Sequence, residues 1–123
     1  MLDSSDKNFP NTIDLKMYGT RPFVDAARVY ALIYGVRHTN TPERLRGAGE
    51  QIGISSEDLT AIVDGFHFIH MLRLRRQMTP GNPPEGANRV NPYWLNQMDR
   101  RMLKESFRQA RKLQNNLGSR YSI

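Results

Sequence analysis

The chain has 123 residues, of which 38% are apolar and 24% charged, and 18 Lys+Arg against 12 Asp+Glu give a net charge of +6. That is the length of one domain and a soluble rather than disordered composition, with enough chain for one unstapled core. The absence of cysteine excludes a disulfide scaffold, a thiolate zinc site, an iron–sulfur cluster and a cysteine nucleophile.

The first residues, Met1 to Asp6, are acidic and polar, unlike a secretory signal. No apolar run approaches the length of a membrane-spanning helix. A cytoplasmic protein with no membrane partner is expected. Charge is uneven along the chain. Residues 1–72 carry seven bases and nine acids, whereas residues 73–123 carry eleven bases and three acids. A basic half points either to an anionic partner or to a solvated helix face.

Helical spacing recurs and strand alternation is nearly absent, so the expected fold class is all-α. One domain over 1–123 is expected. It comprises an irregular arm over 1–20, an antiparallel bundle of about four helices over 21–117, and a tail over 118–123. Within the arm, Ile13-Asp14-Leu15-Lys16 is the one patterned piece and suits a short extended segment packed on the rest.

The first helix starts near Pro22 and ends by Gly35, which suit the first helical position and a C-terminal cap. It is apolar on nearly every side, so it is either central or covers a partner surface. The second opens at Thr41-Pro42-Glu43 with Thr41 as N-cap, and Leu45, Ala48 and Ile52 form its apolar stripe. Gly47 and Gly49 lie inside it, either allowing close packing or weakening it. The third helix is capped by Ser55 or Ser56 and runs to about Gln77. Leu59, Ile62, Val63, Phe66, Ile69 and Leu72 mark one face, and its apolar middle predicts a central position. Residues 79–92, with four prolines and two glycines, form a long loop. The fourth helix begins at Asn96 and ends near Leu117 with Gly118 as cap. Its apolar side comprises Met98, Met102, Leu103, Phe107, Ala110, Leu113 and Leu117. Arg100, Lys104, Arg108 and Arg111 form a basic stripe flanked by Arg101 and Lys112.

Catalytic signatures are missing: there is no GxxxxGK[ST] loop, no HExxH and no GxSxG, and Gly47-Ala48-Gly49 lacks the context of a dinucleotide site. Asp64, His67 and His70 offer carboxylate and imidazole on one helix, but the spacing drifts around it and a site needs ligands from elsewhere. No metal is assigned. Arg73 lies one turn beyond Ile69 and points partly inward. A partly buried arginine needs an acid or a phosphate, and Asp25 and Asp14 are the candidate acids. Nucleic acid is disfavoured as partner of the basic stripe, because exposed aromatics are not interleaved with the bases.

Several separated pieces form a pattern: Ile13-Asp14-Leu15-Lys16, Arg21-Pro22-Phe23-Val24-Asp25 with Ala27-Arg28, and Thr39-Asn40-Thr41 with Arg44-Leu45. Phe66 and Phe68, Leu72-Arg73-Leu74-Arg75 with Gln77, and Asn88 with Val90-Asn91-Pro92 follow. Leu95, Leu103-Lys104-Glu105, Phe107-Arg108 and Leu113-Gln114 complete it. In order and spacing this resembles the putative nucleotidyltransferase substrate-binding domain of bacterial signalling proteins. Those proteins carry cyclic-nucleotide-binding, CBS and nucleotidyltransferase domains upstream, the last similar to the uridylyltransferases that modify the PII protein. The resemblance covers about residues 13–117.

The resemblance implies a helical, non-catalytic module whose parent holds the active site before residue 1. The catalytic signature of the nucleotidyltransferase class, Gly-Ser followed by an Asp-x-Asp pair, is not formed here: Gly118-Ser119 has no such pair after it. Magnesium and a nucleoside triphosphate are therefore expected only for the upstream domain, and no cofactor for this chain. The implied candidates for an anionic substrate or nucleotide are Lys16, Arg28, Arg44, Arg73, Arg75, Gln77 and Lys104. The alternative is that the motif bases form an internal network holding arm and loop on the bundle. A docking or homodimerisation module with no ligand of its own is the competing function.

Overall fold

The computed structural model describes residues 12–78 and 88–121. It is all-α apart from one small ladder. The elements are β1 (Ile13–Asp14), a π-helical turn (Lys16–Thr20), α1 (Arg21–Tyr34), α2 (Thr41–Ala48), α3 (Ser56–Met78), β2 (Arg89–Val90), a 3-10 turn (Pro92–Trp94) and α4 (Gln97–Tyr121).

The arm is more ordered over 12–20 than expected; its first eleven residues lie outside the described residues. Ile13 pairs with Val90 and Asp14 with Arg89 in an antiparallel ladder. The Leu15 N–H adds a bond to the Asn88 carbonyl at 2.6 Å. Ile13 and Leu15 are buried, so the extended segment is pinned by apolar burial as well as by its ladder. Asp14 then ends the strand: its Oδ1 accepts from the N–H groups of Lys16 and Met17 at 3.0 and 2.9 Å.

Helical backbone begins at Lys16 rather than Pro22. Proline cannot donate to the carbonyl four residues back, and its ring crowds that carbonyl. The turn before it is correspondingly wide: Thr20 N–H reaches Leu15 O at 2.9 Å, an i→i+5 bond. Gly35 closes α1 at φ 67°, as its position in the sequence predicts.

The α2 cap shifts by one residue. Asn40 Oδ1 accepts from Glu43 N–H at 2.9 Å, which leaves Thr41 inside the helix. The helix also stops at Ala48, and Ile52 is buried from the turn that follows. Gly49 is the C-cap, and both glycines sit at close approaches. A Cβ on Gly47 would lie 2.9 Å from Val36 Cγ1, and one on Gly49 2.6 Å from Leu59 Cδ2.

Ser55 caps α3, accepting from Asp58 N–H at 3.1 Å. The helix is not central on every side. Ile62, Val63, Gly65, Phe68, Ile69 and Leu72 are buried, while Asp64, His67, His70 and Met71 face solvent. Asn96 caps α4 through Asp99 N–H at 2.8 Å, as expected. Gly118 does not cap it; the helix continues to Tyr121, since one interior glycine costs only about 1 kcal/mol. Met98 and Met102 are exposed. The buried face takes in Ser106 and Gln109 instead, where Gly65 lets α4 approach: a Cβ there would lie 3.3 Å from Ser106 Cα. Ion pairs Arg75–Asp99 (3.3 Å) and Lys112–Asp58 (3.4 Å) tie opposite ends of α3 and α4, so the two run antiparallel.

The core gathers side chains from every helix and from the arm: Leu15, Phe23, Tyr30, Leu45, Ile52, Ile62, Ile69, Leu72, Val90 and Leu113 are all at or near zero exposure. Of the expected loop over 79–92, residues 79–87 lie outside the described residues, and the remainder holds β2 and the start of the 3-10 turn.

Candidate functional site

The basic stripe of α4 lies along a groove of about 470 Å³. Arg100, Arg101, Lys104, Arg108 and Arg111 line it, and Ile13, Leu103, Phe107 and Pro92 supply apolar surface. The geometry follows from the helix: residues four apart recur about every 6 Å along its axis and on one side. The arm completes the groove: Ile13, held by its pairing with Val90, lines it together with the α4 residues.

Glu105 is the one acid lining the groove, and it is engaged. Its Oε2 lies 3.4 Å from Arg108 Nη1, and its Oε1 accepts from Gln109 Nε2 at 2.8 Å. Five cations therefore face one carboxylate. Like charges at i,i+4 repel by about 0.2–0.5 kcal/mol per pair, and a bound anion relieves that repulsion. The apolar floor also lowers solvent screening of any ion held over it.

One end of the groove is built around Arg100. Arg100 donates to the carbonyls of Pro92 and Leu95, both at 3.2 Å, and its guanidinium lies 5.3 Å from the Tyr93 ring centroid. Asn91 Oδ1 accepts from Tyr93 N–H at 2.9 Å, fixing the backbone that carries the ring. Tyr93 and Trp94 are 74% and 60% exposed.

Of the seven residues expected from the sequence, Lys104 lines this groove and the other six do not. Arg73 is half-buried and fastens two segments: Nε donates to Asn88 Oδ1 at 2.9 Å and Nη1 to Thr20 Oγ1 at 3.1 Å. These neutral oxygens, not Asp14 or Asp25, are its partners among the described residues. Arg75 pairs with Asp99. The neighbouring Arg76 donates to Arg89 O at 2.9 Å and lies over the Trp94 ring at 4.9 Å. The arginine run thus reaches the arm, β2, the 3-10 turn and α4. Lys16 is exposed on the π-helical turn, and Gln77 is exposed at the end of α3. Arg28 is exposed on α1, and Arg44 on α2 donates to His38 O at 2.8 Å.

Arg100, Arg101, Arg108 and Arg111 belong to the groove but not to that expected set. Their helical spacing is visible in the sequence. What it could not reveal was the apolar wall that the arm and Pro92 set beside them.

No group of three His, Asp or Glu side chains among the described residues is placed to hold a metal ion. His70 instead stacks on Phe66 at 5.8 Å, and His67 lies tilted against the same ring. A smaller cleft of about 240 Å³ between α3 and α4 is lined by Asp64, Glu105, Ser106 and Gln109 among others, with Gln109 Oε1 buried and without a hydrogen-bond partner.

Among the described residues, no helix is long and apolar enough to cross a membrane. No curated protein and no solved structure matches the chain significantly. One protein family matches residues 2–121, nearly the full length. With its helical fold and this match, the chain belongs to the family described as Putative nucleotidyltransferase substrate binding domain.

Proposed function

We propose that the chain is a non-catalytic module that holds an anionic substrate, bearing phosphate or carboxylate, beside the active site of a nucleotidyltransferase domain. The basic groove of α4 carries this reading: five cations over an apolar floor against a single acid, Glu105, which pairs with Arg108 and Gln109. Such a surface orients rather than reacts, and orientation alone contributes substantially to transfer between two bound partners. The catalytic domain supplies magnesium and the donor nucleoside triphosphate. The parent is a bacterial cytoplasmic signalling protein with CBS and cyclic-nucleotide-binding domains, as the family resemblance implies.

Titration calorimetry with inorganic tripolyphosphate at low salt tests the groove. Binding that weakens steeply with salt and disappears in a Lys104→Glu, Arg111→Glu double variant is expected. Absence of binding to the folded wild-type chain overturns it.

Exposed Leu32 (79%) and Ile33 (46%) on α1 favour a second reading, a docking or homodimerisation face. A strictly monomeric chain by light scattering at high micromolar concentration counts against the homodimer.

A further inference from the structure

The groove and the Tyr93 ring share a residue. Arg100 lines the groove and also covers one side of Tyr93. We infer that the groove takes the phosphate chain of a nucleoside polyphosphate whose base stacks on Tyr93. This deepens the proposed substrate-binding reading and rests on it.

Two observations carry the inference. Tyr93 is 74% exposed, so a large flat apolar surface faces solvent, although its backbone and the arginine beside it are fixed by hydrogen bonds. A ring carried on a fixed backbone binds a base without the entropic cost of ordering a loop. The cations then continue away from that ring along α4. From Arg100 to Arg111 the helix axis advances by roughly 16 Å, room for a short phosphate chain with its cationic contacts.

Position separates a nucleoside phosphate from a single-stranded nucleic acid. A strand needs rings spaced along its phosphate track, because successive bases stack on successive aromatics. Here the exposed rings flank the cations at the ends. Tyr93 and Trp94 stand at one end, and Tyr18 borders a separate cleft of about 190 Å³ beyond Phe107 and Arg111. Tyr93 is the better platform of the two, being more exposed and backed by Arg100. An acidic protein surface would use the charges but has no need of the ring.

Trp94 is the only tryptophan in the chain and adjoins Tyr93, so its fluorescence reports on a base bound there. The folded full chain is titrated with inorganic tripolyphosphate, uridine triphosphate, adenosine triphosphate and a ten-residue oligo-dT, by calorimetry and by Trp94 emission. The triphosphates are expected to bind about tenfold more tightly than tripolyphosphate, as one stacked base provides, and to perturb Trp94 emission where tripolyphosphate does not. Tyr93→Ala is expected to bring the triphosphates down to the affinity that the same variant shows for tripolyphosphate. Tyr93→Phe keeps the ring and should keep the difference. Equal affinity for all three anions, unmoved by Tyr93→Ala, overturns the base subsite and leaves the anion groove standing. Loss of the difference in Tyr18→Ala instead of Tyr93→Ala overturns its location. Tighter binding of oligo-dT than of either triphosphate overturns the ligand class in favour of a single strand. No binding of tripolyphosphate overturns the groove itself.

Discussion

Arg73 Nη1 donates to Thr20 Oγ1 at 3.1 Å, across 53 residues of sequence, while its Nε reaches Asn88 Oδ1 at 2.9 Å. One guanidinium thereby joins the end of α3 to the turn before α1 and to the segment that pairs with the arm. The fork of an arginine can serve two acceptors in fixed directions, which a lysine ammonium on a flexible stem does poorly.

Arg73→Ala is expected to destabilise the chain by about 1–3 kcal/mol, because two partly buried acceptors lose a charged donor. Arg73→Lys should recover only part of this. Urea unfolding measures the loss, and amide exchange at Leu15, which donates to Asn88 O, should quicken. A wild-type midpoint in Arg73→Ala would show that the bonds contribute nothing.

Gly19 is buried, and a Cβ there would sit 2.7 Å from Ile69 Cγ2, a side chain with no exposure of its own. Ile69 has little room to move within the packed core, so Gly19→Ala should cost about 1–3 kcal/mol. Thermal unfolding checks it. A neutral result would mean that the π-helical turn shifts freely against α3.

Tyr30 is fully buried on α1, and its hydroxyl donates to Asn116 Oδ1 on α4. Tyr30→Phe keeps the ring and strands that acceptor, which should cost about 1 kcal/mol. An Asn116→Ala variant and the double mutant close a cycle. Full additivity in that cycle would deny that the pair interacts.

Lys104 stands between Arg100 and Arg108 at i,i+4 on both sides. Lys104→Gln should raise stability by a few tenths of a kcal/mol at low salt as like-charge repulsion falls, and the gain should shrink in high salt. The same variant should weaken tripolyphosphate binding. A destabilised Lys104→Gln would indicate that the lysine stem packs on the floor of the groove and supports the fold.

Much of the helical framework was readable along the chain because its signals are local. Gly35 ends α1 through a left-handed φ, Ser55 and Asn96 cap their helices through side chains three residues from their partners, and proline marks the first turn of α1. The family pattern was readable for the same reason, as short pieces in order. Details of phase were harder. Met98 and Met102 satisfy an apolar helical spacing yet stay exposed, since α4 turns Ser106 and Gln109 toward Gly65.

The helices, most of their caps and the basic stripe on the last helix are encoded locally, since each depends on residues within a few turns of one another. What surrounds that stripe depends on contacts between distant parts of the chain. The pairing of Ile13 with Val90 sets an apolar wall beside the arginines, and the arginine run of α3 spends its donors on the arm, β2 and the 3-10 turn. Those relationships join residues far apart in the chain, and no local spacing encodes which distant oxygen or apolar surface a long cationic side chain will meet.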